Sequence, residues 1–400
     1  MAPFVYQLIY ILAVGIIASI FAFFIAKDAK KFLRGENNLS KINNTIIYTL
    51  SYINENMLDN GRFVYANNIR SKRVPPNKIY NITNHADMLY SLYLCEKALN
   101  LPGLDARRAT SVKYLLDNYV KNIGFKKYAV VSLPEEENLK CEKAKLSATA
   151  RAVIALSDAN TSKMVSDDIF EGFGNFLLFM QKRNGQFYTS YDPYNFELED
   201  DKTNLNYNGD AVLGLLYMFE FNKKQKWIDG AKKGLLFLAK IRSNLKNLRF
   251  DYSSIIATEK LFKMPNNGFA EQEKEILKLH VVKMAEQVLN KQIVDKNDKY
   301  FGALSDNVKP KDIACMIEGL ISVFNFIDDD MLKVRIMRFI DMAMKFLRIA
   351  QIQKGRHKGA FPNSADWREY GAPKGAAIAN LDTAQHVLTA CVRFQNMFTR

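Results

Sequence analysis

Cysteine, glycine, proline and histidine are all scarce in this 400-residue chain, and each scarcity excludes something. Four cysteines, Cys95, Cys141, Cys315 and Cys391, are too few for a disulfide-stapled scaffold. None stands in a CxxC or CxxH spacing, so no metal site is expected. Three of them fall in apolar helical runs, where a buried thiol is the plain reading. Nineteen glycines and ten prolines leave no room for collagen-like or linker-dominated architecture. No GxxxxGK[ST] loop, no GxGxxG after a strand, no HExxH and no GxSxG occurs, so no cofactor is expected and a hydrolase nucleophile elbow is missing. Acidic residues are the minority charge, 42 against 56 Lys and Arg, a net +14. That balance suits an anionic partner, and no nucleic-acid-binding signature accompanies it, so nucleic acid is not expected.

What the chain has is apolar content, 48% against 24% charged, enough for a large core. Residues 4–26, FVYQLIYILAVGIIASIFAFFIA, carry no charge. At about 1.5 Å per helical residue such a run crosses a hydrocarbon core of about 30 Å. The flanking AKDAKKF is a poor cleavage context, so an uncleaved single-pass membrane anchor is expected, touching lipid, in a bacterial inner or cytoplasmic membrane. Lys27, Lys30, Lys31 and Arg34 follow it, which favours a cytoplasmic domain. A glycan-hydrolysing role favours the opposite side. The expected organisation is an anchor at 1–26, a basic linker at 27–38 and one helical domain at 39–400.

That domain repeats. Six amphipathic segments, 39–58, 107–120, 166–182, 227–242, 271–293 and 330–352, carry apolar residues at helical spacing. Each is followed by a short break: NGRFVY, IGFKKY, NGQFYT, NLRFDY, KYFGAL and KGAFPN. Asn-Gly supplies the positive φ of a tight turn, and the aromatic packs inward. After each break comes a more apolar helix, from His85, Ser147, Gly209, Ser253, Lys311 and Leu381 in turn. Six units of amphipathic outer helix, turn and apolar inner helix predict an all-α, double-layered (α/α)6 toroid; an open solenoid of the same units is the alternative.

The six outer–inner pairs with Gly-x-aromatic turns resemble the (α/α)6-toroid carbohydrate-active enzymes: glycoside hydrolases, uronyl hydrolases, polysaccharide lyases and sugar epimerases. The resemblance spans about residues 39–400 and is one of architecture. It implies a carbohydrate substrate, acidic here given the chain's charge.

In such a ring the inner helices start at one mouth, and the residues there are the candidates. They are His85 with Asp87, Ser147 with Thr149, Asn208 with Asp210, Ser253 with Ser254, Asp312, and Asp382 with His386. Ser147, Ser253 and Asp312 are read as helix caps. Asp87 and Asp382 become neighbours if the ring closes, and facing helices about 8–10 Å apart would hold a paired-carboxylate acid and base. Asp210 would assist, and His85 and His386 would tune the pair. Asp382 and His386 share a helical face, which orients the imidazole for proton transfer. Tyr188, Tyr191, Tyr194 and Tyr207, with Trp367, are candidates for stacking on sugar. His280 falls on an outer helix and is read as structural. The expected activity is hydrolysis of an envelope or extracellular polysaccharide, or of a lipid-linked glycan. The alternatives are a lyase or epimerase using histidine, and a non-catalytic scaffold among polysaccharide assembly proteins.

Overall fold

The structure, a computed structural model, describes residues 36–70, 80–99, 104–158, 162–200, 205–264 and 268–398. Twelve long helices among the described residues alternate between two layers. The outer ones are α1 (Glu36–Glu55), α3 (Leu104–Tyr119), α5 (Asp167–Phe179), α7 (Gln225–Arg242), α9 (Glu271–Leu289) and α11 (Asp330–Ala350). The inner ones are α2 (Ile82–Leu99), α4 (Leu146–Leu156), α6 (Asn206–Asn222), α8 (Tyr252–Phe262), α10 (Pro310–Phe326) and α12 (Leu381–Asn396).

The two layers bury differently because their sequences do. In α11 the buried side chains, Leu332, Ile336, Phe339, Ile340, Ala343, Phe346 and Leu347 among them, fall three or four apart and form one stripe. Asp329 caps it by accepting from Leu332 N at 3.0 Å. In α4 every residue from Leu146 to Leu156 is buried, Arg151 included. A helix covered on all sides belongs to the inside of a two-layer ring.

The ring closes. Each inner helix packs on the next, α2 on α4, α4 on α6, α6 on α8, α8 on α10, α10 on α12, and α12 back on α2. Across that last seam Ser91 Oγ lies 2.7 Å from both Gln385 Oε1 and Thr389 Oγ1. The outer layer closes through glycine. Gly61, Gly185, Gly302 and Gly359 have φ between +88° and +98° and each presses against the backbone of the following outer helix. A Cβ on Gly302 would stand 2.0 Å from Met342 O, and one on Gly359 would stand 1.9 Å from Tyr48 O of α1. Only glycine fits both the φ and the approach. Gln292 and Gln351 reinforce the same joints, donating to Phe339 O at 2.9 Å and Thr45 O at 3.1 Å.

Two small antiparallel sheets accompany the helical ring. β1 (Ala66–Asn68) pairs with β7 (Ile378–Asn380), Ala66 opposite Asn380. β2 (Val120–Gly124), β3 (Lys127–Ser132), β4 (Lys143–Lys145), β5 (Ser190–Asp192) and β6 (Glu197–Glu199) form the other, in that order. β4 and β7 run directly into α4 and α12, so the sheets fix where those helices begin. The stretch after α5 that carries Tyr188, Tyr191 and Tyr194 includes β5 and β6.

The expected membrane localisation is also corrected. Among the described residues no helix is long and apolar enough to cross a membrane. The span expected at 4–26 lies outside the described residues, as does most of the linker.

Candidate active site

The first two turns of all six inner helices line one cavity of about 750 Å³. Asn81, Thr83, Asn84 and Asp87 come from the start of α2, Ser147 and Arg151 from α4, and Tyr207 and Asp210 from α6. Tyr252 and Ser253 come from α8, Lys311, Asp312 and Cys315 from α10, and Asp382 and His386 from α12. A closed ring brings these starts together although they lie up to 305 positions apart in sequence.

One charge cluster centres on Arg151. Its Nη2 lies 2.6 Å from Asp210 Oδ1, 2.7 Å from the Tyr252 hydroxyl and 2.7 Å from Ser253 Oγ, and its Nε lies 3.3 Å from Asp87 Oδ1. Ser253 donates to Asp210 Oδ1 at 2.7 Å. A buried guanidinium without partners would be prohibitive, and two carboxylates make it stable. They also hold Arg151 well above its ordinary value, although burial works the other way. Burial pushes Asp87 up to about 6, with the charges of Asp210 and Asp382 adding to it and Arg151 and His386 opposing. Burial raises Asp210 as well, against the pull of Arg151.

The second cluster joins α10 to α12. Lys311 Nζ forms an ion pair with Asp382 Oδ2. Burial disfavours the Lys311 ammonium, and Asp382 reverses that and holds it above its ordinary value. His386 Nε2 lies 3.7 Å from Asp382 Oδ1, and its Nδ1 lies 3.0 Å from Glu318 Oε1. Burial opposes charge on His386, while Cys315 and Glu318 outweigh it and hold the imidazole well above its ordinary value. Burial pushes the Cys315 thiol up. The Tyr252 ring stands edge-on to His386 at 5.4 Å, linking the two clusters.

Of the residues singled out from sequence, Asp87, Asp210, Asp382, His386 and Tyr207 share this cavity, as do Ser147, Ser253 and Asp312, which were read as caps. His85 does not line it. It is buried between α2 and α3, with Nδ1 2.6 Å from the Tyr80 hydroxyl and Nε2 3.0 Å from Ser111 O, against the Phe63 and Tyr114 rings. Burial lowers it to about 4, which leaves a neutral core histidine. Tyr188, Tyr191, Tyr194 and Trp367 also fall outside the lining. Tyr188 carries Lys182 over its ring at 4.4 Å, and Tyr191 packs edge-on against Phe179 at 5.4 Å. Tyr194 is 63% exposed, and Trp367 is flanked by Arg70 and Arg368.

The capping expectations change too. Asp251, not Ser253, caps α8 by accepting from Ser254 N at 3.1 Å. Ser147 lies inside α4, and Asp312 accepts from Asn307 Nδ2 at 2.7 Å with Lys309 at the N-cap position. Sequence reasoning gave no site role to Arg151, Lys311, Tyr252, Cys315 or Glu318. Two of them carried a readable signal: Arg151 in SATARAVIAL and Glu318 in IACMIEGLIS are isolated charges on helices apolar all round.

No family model matches the chain, and no curated protein matches it. Solved structures do. A cellobiose 2-epimerase from Bacillus thermoamylovorans superposes with a TM-score of 0.66 at 11% identity, over 90% of this chain and 99% of that one. A sugar epimerase from a ruminal bacterium gives 0.65 at 12%, over 89% and 98%. The GH76A α-1,6-mannanase from Salegentibacter gives 0.59 at 12%, over 90% and 99%. Over nearly the whole length of each, the described chain shares the (α/α)6 toroid of these carbohydrate-active enzymes.

Proposed function

We propose that this protein is a carbohydrate-active enzyme that hydrolyses a glycan with Asp87 and Asp382 as the acid and base. The observation that carries this reading is a single open cavity reaching both carboxylates from neighbouring inner helices, with a different cation beside each. Asp87, raised to about 6, is the proton-bearing member and would protonate the leaving oxygen. Asp382, with Lys311 on Oδ2, would activate water. Arg151 and Asp210 hold Asp87 in place. Arg249 on the cavity wall offers a positive partner to an acidic sugar. The toroid shared with sugar epimerases and a mannanase supports the substrate class as an analogy of fold.

A second reading has its own observation. His386, with Glu318 fixing its Nδ1, is built as an oriented proton carrier, as an epimerase or lyase needs. His85 cannot serve as its partner, being outside the cavity.

One experiment separates these. The wild type and Asp382→Asn are incubated with a panel of neutral and uronate-containing oligosaccharides in deuterated water, with Asp117→Asn on the exposed α3 surface as control. Hydrolysis predicts new reducing ends, a rate at least about 10²-fold lower in Asp382→Asn, and no change in the control. Deuterium on a carbon beside the carbonyl without new reducing ends would replace hydrolysis with the histidine reading. New unsaturated ends would point to elimination. No turnover on any substrate would leave a binding or scaffold component as the better description.

A further inference from the structure

Cys315 and Glu318 stand one turn apart on α10, and His386 of α12 lies beside them. Their Sγ, carboxylate oxygen and ring nitrogen all lie within 4.8 Å of one another. We propose that these three side chains form a binding site for one divalent transition-metal ion, with zinc the best fit.

The donor set supports this. Thiolate, imidazole and carboxylate together suit borderline-soft zinc, whereas calcium and magnesium take oxygen ligands. Three protein ligands with a fourth position open is the arrangement of catalytic zinc, and Cys315 and His386 both line the cavity, so the fourth position faces it. Ligands about 2.0–2.3 Å from one tetrahedral ion lie roughly 3.3–3.8 Å apart, so the widest pair needs to close by about 1.0–1.5 Å at most. Glu318 Oε1 and His386 Nδ1, at 3.0 Å, are already that near.

The next layer is in place as well. With Nδ1 on the metal, the Nε2–H points toward Asp382 Oδ1, 3.7 Å away. That oxygen is buried and has no hydrogen-bond partner among the described residues. A carboxylate behind a ligating imidazole fixes its tautomer and orientation.

The site is tested without substrate, so its failure is separate from failure of the Asp87 and Asp382 reading. The full chain is stripped with chelator and titrated with Zn²⁺ and, separately, with Co²⁺. The expected result is one ion per chain, and with cobalt a thiolate charge-transfer absorption that Cys315→Ser abolishes. Glu318→Gln and His386→Asn weaken binding, and Asp382→Asn weakens it about 10–100-fold. Zinc also protects Cys315 from iodoacetamide, read by mass on its peptide. A folded wild type that shows no thiolate band at saturating cobalt overturns the proposal. So does a band that persists in Cys315→Ser. Alkylation of Cys315 at the same rate with and without zinc overturns it too, and would leave the three groups as a thiol–imidazole–carboxylate relay.

Discussion

Asp87 and Asp210, carried on different inner helices, share one guanidinium: Arg151 Nε is 3.3 Å from Asp87 Oδ1 and its Nη2 is 2.6 Å from Asp210 Oδ1. The arrangement ties α2, α4 and α6 together at the cavity wall and also sets the charge state of the proposed acid. Stability and chemistry are therefore coupled through one side chain.

Arg151→Met leaves two buried carboxylates without their cation, and a broken buried pair costs about 3–5 kcal/mol. Both carboxylates then protonate more easily, so the loss is smaller at pH 5 than at pH 7.5. Urea unfolding of wild type and variant at the two pH values checks this. An equal loss at both would mean that the guanidinium acts by packing alone.

If Asp87 delivers a proton, kcat/KM is level below about pH 6 and falls about tenfold per unit above it, because the acid must be protonated and its value lies near 6. Asp87→Asn removes that limb along with most of the activity. A pH–rate profile on the best substrate of the panel makes the measurement. A limb that survives in Asp87→Asn belongs to another group.

Gly359→Ala destabilises more than Gly371→Ala. Both residues have positive φ, +90° and +80°. A Cβ at Gly359 strikes Tyr48 O, whereas one at Gly371 meets nothing within 4 Å. The φ term alone costs about 1 kcal/mol, and the collision at the closing joint adds to it. Thermal melts of the two variants report the difference.

His280, buried on α9, has both ring nitrogens without a hydrogen-bond partner among the described residues. Burial first, then Arg242 and Lys283, lower it to about 3. Between that value and the unfolded value near 6.5, the unfolded chain binds the extra proton. Stability is thus intact above about pH 6.5 and falls as pH drops below it. His280→Leu loses no hydrogen bond, so stability at pH 7.5 is kept or improved. Between pH 7.5 and 5 the variant loses about 2 kcal/mol less than wild type. Guanidinium unfolding at both pH values measures it, and parallel losses would refute the assignment.

The repeat was legible because it is written locally. A stripe such as Leu332, Ile336, Phe339 and Ala343 shows at helical spacing, and Asn60-Gly61 and Asn184-Gly185 mark turns through backbone preference. That Asp87, Asp210, Asp382 and His386 share one cavity could be anticipated because helix starts can be located from those same local signals. His85 was misplaced because two residues on one turn point in different directions: Asp87 faces the cavity and His85 faces α3.

The sequence by itself therefore determined the six helix pairs and the outer and inner character of each, since both depend on neighbours within one or two turns. Tertiary structure alone decided which polar side chains meet. Arg151 pairs with residues 64 positions before it and 59 after it, and Cys315 and Glu318 face a histidine 68 or more positions away. Such distances carry no periodic signal. Only closure of the ring sets them, and only burial inside it makes each of those charges depend on a partner.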